Sequence, residues 1–325
     1  MRGDCGPIRH GDRSFTSKYL PKYFVFALRR PGIMRTTSAT TPSDLQKLRD
    51  HAISVHPDLG VAFKAAVAAG KIIAEGFGRF HTIDQKGVGD FVSEVDQMAD
   101  KVVCEILADD SSTAILSEEL HPELAAGVED FWIVDPLDAT SAFLMQAGRQ
   151  FPSVLIGKYL GGQAVLGLAH FPLTGEWFYG YKDRHAFRNT KRLQVPDGER
   201  ELGDVWIEMN QYGDSKFETE SFTTLRDRLR TSEGARMVTI TVPNSGVALR
   251  VAAAETGLAA AIHDNSAAKI KQAPWDVVPV KLILEEAGGV FLNLKGEPID
   301  PFVAEVSVVA QSRGLAEQII RLAQK

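Results

Sequence analysis

A short apolar segment of the sequence, 131–134, leads directly into two carboxylates, Asp135 and Asp138. Pro136 lies between them, and because it fixes one backbone dihedral and has no N–H for a sheet, we expect the strand to end there. The chain then turns, so that both carboxylates and the Leu137 carbonyl can face one point. A hard divalent cation collects oxygen ligands in this way. The segment therefore predicts part of a metal site.

Two other segments also place a carboxylate at the end or the start of an apolar run. The apolar run 113–116 is followed by Ser117 and Glu118, and neighbouring strands would place Glu118 beside Asp135. Asp276 lies at the start of an apolar helical segment. Each segment alone has a simpler explanation: a turn, a solvated strand end, or a helix N-cap that contributes about 1 kcal/mol. Together they favour one cluster of four carboxylates: Glu118, Asp135, Asp138 and Asp276.

The surrounding pattern predicts two helices and then a sheet. Apolar residues recur at helical spacing over 61–73, after Pro57, and over 92–107, where Ser93 stands as an N-cap. Runs typical of strands follow, with Gly-Gly and Pro-to-Gly turn signals between them. These predicted strands cover 113–116, 131–134, 153–159, 163–170 and 176–181. We expect a mainly antiparallel meander in this half.

The second half alternates strands and helices, which favours an α/β unit with helices covering a sheet. The predicted strands are 204–209, 236–242, 258–263, 290–294 and 306–309. The predicted helices are 220–230, 245–256, 277–287 and 315–324. We therefore divide the chain into a tail (1–44), an N-terminal α+β metal-binding domain (45–195) and a C-terminal α/β domain (196–325).

Composition limits the class of protein. The net charge of −6 offers no general attraction for nucleic acid or an anionic membrane. No apolar run reaches the ~18 residues that a membrane span requires. Cys5 and Cys104 are far apart, which suits a reducing compartment, and we expect a cytoplasmic protein. The Arg-, Ser- and Thr-rich tail is predicted to be disordered; a later start at Met34 or a targeting peptide are alternatives.

The acidic segments also resemble the inositol monophosphatase superfamily, from about residue 58 to the end. Four of its signatures match in order: Asp-x-Val-Thr/Ser-x-x-Asp, a Glu-Glu pair, Asp-Pro-Ile/Leu-Asp-Gly-Thr, and Trp-Asp before an apolar helix and Gly-Gly. Their counterparts here are 90–96, 118–119, 135–140 and 275–289. The resemblance implies a layered αβαβα sandwich, a homodimer, and two or three Mg²⁺ ions between an α+β half and an α/β half.

The resemblance also implies metal ligands. One ion would be held by Glu118, Asp135 and the Leu137 carbonyl. A second ion would be held by three carboxylates: Asp135, Asp138 and Asp276. Asp96 and Glu118 would border a third position.

The activity that the resemblance implies is hydrolysis of a small soluble phosphate monoester, of inositol, a polyol or a sugar, by metal-activated water. Glu118, Thr140 and Asp96 are the catalytic candidates, with Thr140 and Glu118 orienting or deprotonating the water. Amides near Ala139 and Thr140 would hold the phosphoryl oxygens. Substrate contacts are also expected from Ser245, for which a helix N-cap is the alternative, and from Lys269.

Some positions depart from the family pattern. Ala139 stands where the family has Gly or Ser, and it costs about 1 kcal/mol if the backbone there needs a positive φ. Ala142 replaces Asn, and Val278 stands where a small residue is expected. Pro279 is predicted within the first turn of its helix, where proline is tolerated.

These departures and one lysine leave two alternatives open. Lys269 lies where inositol-specific relatives have an acidic group, which suggests a substrate with a second anionic group. One alternative is therefore a phosphatase for a nucleotide 3′-phosphate or a sugar bisphosphate. The other is a catalytically impaired binding or regulatory homologue.

Overall fold

Helices and strands alternate along the chain in the computed structural model, which describes residues 41–79, 81–87, 90–210, 220–231, 237–241, 244–253, 257–264 and 273–324. The helices are α1 (Pro42–Val55), α2 (Pro57–Gly76), α3 (Glu94–Asp110), α4 (Thr140–Leu144), α5 (Glu220–Thr231), α6 (Val247–Ala252), α7 (Pro274–Glu286) and α8 (Arg313–Gln324). The strands are β1 (Ile83–Gly87), β2 (Asp90–Ser93), β3 (Ala114–Ser117), β4 (Phe131–Asp138), β5 (Ser153–Leu160), β6 (Gln163–Phe171), β7 (Glu176–Tyr181), β8 (Ala186–Arg188), β9 (Lys191–Leu193), β10 (Trp206–Asn210), β11 (Met237–Thr241), β12 (Leu258–Asp264), β13 (Val290–Asn293) and β14 (Val306–Ala310).

The N-terminal helices begin at capping residues. Thr41 and Ser93 each form a capping box with the residue at the third helical position, and Pro57 occupies the first position of α2. The predicted helices over 61–73 and 92–107, with Ser93 as N-cap, correspond to α2 and α3. Helix α1 was not predicted, and it begins at Pro42, so its first turn lies inside the segment that we assigned to the tail.

Seven strands form the larger sheet, in the order β3-β4-β5-β6-β7-β8-β9. Strands β3 and β4 are parallel, and the remaining neighbours are antiparallel. All five strands predicted in this half are present, as a meander. The short strands β8 and β9 were not predicted, because three residues are too few to show a period.

The smaller sheet has five strands in the order β11-β10-β12-β14-β13. Strand β10 is parallel to β11 and β12, whereas β14 is antiparallel to β12 and β13. The five predicted strands and the helices between them are present in the described residues. Parallel strands need crossover connections, which helices α5 and α6 provide. Strands β1 and β2 form a separate hairpin.

The sheets and helices stack as five layers, αβαβα. One core joins α1, α2 and α3 to the first face of the larger sheet, through side chains such as Trp132 and Trp177. A second core joins the opposite face to α6, α7 and the smaller sheet. A third core packs α5 and α8 on the outer face of the smaller sheet. Within the described residues, every helix is too short or too polar to span a bilayer.

Two glycines of the larger sheet, Gly157 and Gly167, let α7 lie close to it. Gly157, Gly167 and Gly180 are register partners on β5, β6 and β7, so they form a row across the sheet. A Cβ at Gly167 would lie 2.3 Å from the Pro279 carbonyl oxygen, and one at Gly157 would lie 3.2 Å from a Val278 methyl group. The bulk of Val278 is therefore accommodated by the missing side chain on β5.

The interpretation of Pro279 was wrong. Helix α7 begins at Pro274, so Pro279 lies inside the helix and beyond its first turn. Proline at this position has no N–H to donate to the carbonyl of Trp275, four residues earlier. The helix nevertheless continues to Glu286, because its apolar residues are buried along most of its length.

The glycine row generates a stability prediction. We expect Gly167→Ala to lower the free energy of unfolding by about 2 kcal/mol or more, because backbone atoms of α7 cannot move away as a flexible side chain could. Urea unfolding followed by circular dichroism measures this. Gly161→Ala is the control: no atom lies within 4 Å of the new Cβ, and only its positive φ, at a cost of about 1 kcal/mol, disfavours alanine there. Equal losses for both variants would contradict the close approach.

Candidate metal centre

The end of β4 brings two carboxylates into the site by a bulge. The prediction that the strand ends at Pro136 was wrong: β4 continues to Asp138, which pairs with Ser153 on β5 after a register shift. Proline has no N–H for the ladder, and the bulge removes the need for one. The Leu137 N–H donates to Asp135 Oδ1 at 2.9 Å. The bulge thus keeps the pairing of β4 with β5 while it turns the two carboxylates into the site.

A third carboxylate comes from α7, whose first turn faces the end of β4. Oxygen atoms of Asp135, Asp138 and Asp276 all lie within 4.8 Å of one another. Asp135 and Asp138 are buried, and Asp276 is half-buried. Three predicted metal ligands, separated by as many as 141 positions in the chain, are therefore brought together. Negative charge in the first turn of a helix is also favourable to the helix dipole.

Like charges at this distance change the acidity of the cluster. Burial raises the pKa of Asp135 well above its ordinary value. The charges of three nearby carboxylates raise this pKa further, in the order Glu118, Asp276 and Asp138. Burial also raises the pKa of Asp138. A divalent cation would reverse this field, and an all-oxygen set of donors suits a hard ion such as Mg²⁺.

Asp138 is held in place by donors from both halves of the protein. Ser153 Oγ donates to its Oδ2 at 2.9 Å, and the backbone N–H of Ser245 donates to its Oδ1 at 3.0 Å. These donors oppose the effect of burial on the pKa of Asp138. Ser245 was predicted as a substrate contact or a helix N-cap. The N-cap of α6 is instead Gly246, and Ser245 lies against a predicted metal ligand.

Asp96 is connected to the site through Thr140, two residues after Asp138. Its Oδ1 lies 2.8 Å from the Thr140 hydroxyl, and its Oδ2 accepts from the N–H and the hydroxyl of Ser93. The same Thr140 hydroxyl lies 2.9 Å from the Leu137 carbonyl oxygen. Its single proton serves one of two acceptors, and its oxygen can accept from a water. Burial raises the pKa of Asp96, and the bonds from Ser93 and Thr140 oppose that rise.

Glu118 follows β3 and lies close enough to act on the pKa of Asp135. Its position depends on a residue that the sequence analysis did not select. Asp100 on α3 is fully buried, and its Oδ2 accepts the N–H groups of Glu119 and Leu120, both at 2.9 Å. Through these hydrogen bonds, Asp100 holds the turn directly after Glu118 in place. The available signal was its spacing of one helical turn after Asp96.

Ala139 has a left-handed backbone, with φ 65° and ψ 43°. It separates Asp138 from Thr140, so this conformation turns both side chains into the site. The expected steric cost of about 1 kcal/mol depended on a positive φ, and the φ of Ala139 is positive. Ala142, which replaces the expected Asn, is fully buried.

The remaining predicted contact, Lys269, lies outside the described residues, as does the neighbouring Lys271. Ser153, which the sequence analysis did not select, is recognisable only by its register with Asp138. The described arrangement can hold a hard cation among carboxylates and place a hydroxyl beside it. Such a site can bind and polarise an oxyanion.

Comparison with known proteins finds relatives of this chain. The model of the inositol monophosphatase family matches residues 54–325. A fructose-1,6-bisphosphatase/inositol-1-monophosphatase of Aquifex aeolicus is 28% identical over 82% of the chain and 95% of its own length. A Nus factor SuhB of Pasteurella multocida is 25% identical over 74% and 87%. The crystal structure of the extragenic suppressor protein suhB of Bartonella henselae superposes with a TM-score of 0.71 at 23% identity, covering 83% of this chain and 99% of that one.

The backbone of Ala139 generates a prediction. Ala139→Gly should raise the free energy of unfolding by about 0.5–1 kcal/mol, because glycine adopts a positive φ without a steric cost. Chemical denaturation measures the change. Ala142→Gly, in the adjoining helix α4, is the control and should lower stability, since its backbone is helical. Destabilisation by Ala139→Gly would show that the left-handed turn is not strained.

Repulsion in the carboxylate cluster generates a second prediction. Because the pKa of Asp135 is raised in the fold, the folded state retains protons that the unfolded chain releases. Stability without metal should therefore fall as the pH rises through the raised pKa. In EDTA at pH 8, we expect Asp276→Asn to unfold at a higher temperature than wild type. Saturating Mg²⁺ should reverse this order, because it stabilises the wild-type site more.

Thermal unfolding in the two buffers checks this reversal. The control is Asp227→Asn, an exposed carboxylate on α5, which should follow wild type in both. A wild-type protein that is more stable than Asp276→Asn in EDTA, and that does not respond to Mg²⁺, would contradict the assignment of Asp276.

Proposed function

The chain belongs to the inositol monophosphatase family, and on that premise we propose that it is a Mg²⁺-dependent phosphatase acting on a small phosphate monoester. One observation carries the proposal: oxygens of Asp135, Asp138 and Asp276 lie within 4.8 Å of one another in a mostly buried site. Such a cluster is unfavourable without a cation, as the raised pKa of Asp135 indicates. The presence of all three carboxylates therefore supports the proposal that the working protein binds an ion.

The predicted ligands fit Mg²⁺ in chemical type. Asp135, Asp138 and Asp276 would hold ions together with Glu118 and the Leu137 carbonyl, and the proposal includes two or three ions. Bound magnesium would supply charge stabilisation for the phosphate oxygens and for the leaving alcohol, and it would lower the pKa of a water.

The residues of the chain orient the reactants. The Thr140 hydroxyl is fixed between Asp96 Oδ1 and the Leu137 carbonyl, so its oxygen is positioned to accept a hydrogen bond from the attacking water. Glu118 is the proposed acceptor of the proton from this water. The amides of Ala139 and Thr140, in the left-handed turn, are proposed to bind phosphoryl oxygens. No side chain is required as a nucleophile.

The proposed substrate is a phosphate ester of inositol, a polyol or a sugar. The Aquifex aeolicus relative, which is named for both fructose 1,6-bisphosphate and inositol 1-phosphate, supports this class. The bisphosphate alternative is supported by the same name. We expect the enzyme to act on its substrate in solution rather than on a membrane.

A second candidate function is regulation without turnover. Two observations favour it: the strained Ala139 between two site residues, and a relative that is named as a Nus factor. Under this alternative the metal site would bind ions and phosphate, but no ester would be hydrolysed. A gain of activity in Ala139→Gly would show that the strain had suppressed catalysis.

Phosphate release distinguishes the two candidates. We expect the purified protein to release phosphate from myo-inositol 1-phosphate or fructose 1,6-bisphosphate with Mg²⁺ and not in EDTA. Glu118→Gln should lower kcat by about a hundredfold or more, which is typical of losing a general base. Glu119→Gln is the matched control and should retain most of the activity. Turnover that persists in EDTA would refute the proposal.

A further inference from the structure

A polar cluster lies between α6 and the smaller sheet, on the face that points towards the larger sheet. The Arg250 guanidinium donates to Glu208 Oε1 at 2.7 Å, and its central carbon lies 5.8 Å from the centre of the Phe151 ring. The Asn210 amide nitrogen lies 3.2 Å from His263 Nδ1. Neither Arg250 nor His263 was singled out in the sequence analysis. The function proposed above does not use this cluster.

Short connections join the cluster to Asp138. Asn210 donates to the carbonyl of Asn244 at 3.0 Å, and the next residue, Ser245, donates its N–H to Asp138. On the other side, Phe151 lies two residues before Ser153, which also donates to Asp138. The cluster therefore borders the metal centre on its α/β side.

The cluster combines buried supports with groups that remain partly accessible. Glu208 and Asn210 are buried, at 3% and 2% exposure. The Arg250 side chain remains 24% exposed, and Phe151 and His263 are half-buried. A guanidinium has five donor hydrogens, so its bond to Glu208 leaves donors for another partner. The buried residues hold this surface in place, and the accessible ones can meet a ligand.

The charges of the cluster decide between two kinds of ligand. The positive charge of Arg250 is balanced by Glu208. Burial, with a smaller contribution from the charge of Arg250, lowers the pKa of His263 to about 4, so the ring is neutral at pH 7. A second phosphate group would meet a guanidinium that is already neutralised. Hydroxyl groups suit the site better, because they use both donors and acceptors, and an aromatic ring can cover the apolar face of a sugar.

We propose that Arg250 and His263, with Phe151 beside them, bind the hydroxyl groups of the alcohol portion of the substrate. This inference rests on the proposed phosphatase function and assigns the selectivity of the same site. The ligand class is an uncharged polyhydroxylated ring, a cyclitol or a sugar. The metal centre binds the phosphate, and Arg250 and His263 select the alcohol.

A comparison of three esters tests the inference in the full-length protein with Mg²⁺. The esters are myo-inositol 1-phosphate, fructose 1,6-bisphosphate and p-nitrophenyl phosphate, which has no alcohol hydroxyls. Arg250→Lys keeps a cation beside Glu208, so that the carboxylate still has a positively charged partner. The substitution removes the planar guanidinium group and its fixed set of donors. We expect its selectivity, the ratio of kcat/KM for the inositol ester to that for the nitrophenyl ester, to fall about tenfold, mainly through KM.

Two further variants separate binding from structural damage. His263→Phe keeps a ring of similar shape without nitrogen atoms, and it should lower the same ratio. Arg321→Lys, on the exposed face of α8, is the matched control and should leave the ratio unchanged. The Mg²⁺ concentration for half-maximal activity should be the same in all variants, because the inference places neither Arg250 nor His263 among the metal ligands.

Each other outcome overturns the inference in a distinct way. If Arg250→Lys lowers activity on fructose 1,6-bisphosphate but not on the inositol ester, the cluster binds a second anion instead. If the ratio is unchanged in both Arg250→Lys and His263→Phe, the cluster does not contact the substrate. If the wild-type protein releases phosphate from none of the three esters, the proposed function fails and this inference fails with it.

Discussion

Repulsion among three buried or half-buried carboxylates is the constraint that the rest of the structure must overcome. Asp135, Asp138 and Asp276 would separate if their supports were soft, because charges of one sign within 4.8 Å repel strongly where water is scarce. The supports are rigid and come from different layers. A bulge in β4 holds two of the residues, and α7, packed against Gly157 and Gly167, holds the third. Donors from β5 and from the segment before α6 fix Asp138 from both sides.

The three clustered carboxylates could be predicted because each is marked by its neighbours in the chain. Asp135 and Asp138 follow an apolar run of sequence, and Asp276 lies in the first turn of an apolar helix, so local patterns mark all three. The order of strands along the larger sheet was also accessible, because a meander pairs sequence neighbours. The family resemblance added the division into layers, which the three described cores confirm.

What could not be predicted depends on contacts between distant positions. Asp100 fastens the turn after Glu118 across about twenty residues, and Glu208 meets Arg250 across forty-two. The helical spacing after Asp96 marks Asp100 itself, but neither pairing is visible as a period or a motif in the sequence. Pro136 was misjudged for a related reason: its chemistry forbids one hydrogen bond, but only the partner strand shows that a bulge makes this bond unnecessary. For Ala139, the residue type was visible, whereas its left-handed backbone required coordinates.

Gly157 and Gly167 bear on which ion the proposed metal site would select. These residues carry no functional group, yet their missing side chains set the height of α7 above the sheet and hence the distance from Asp276 to Asp135. Mg²⁺ demands short, nearly ideal coordination, whereas Ca²⁺ accepts a wider and less regular cage. The distance between the carboxylates on α7 and on β4 therefore depends on how small the side chains of the sheet beneath the helix are. A relative with a bulkier sheet surface could keep every ligand and still favour a larger ion.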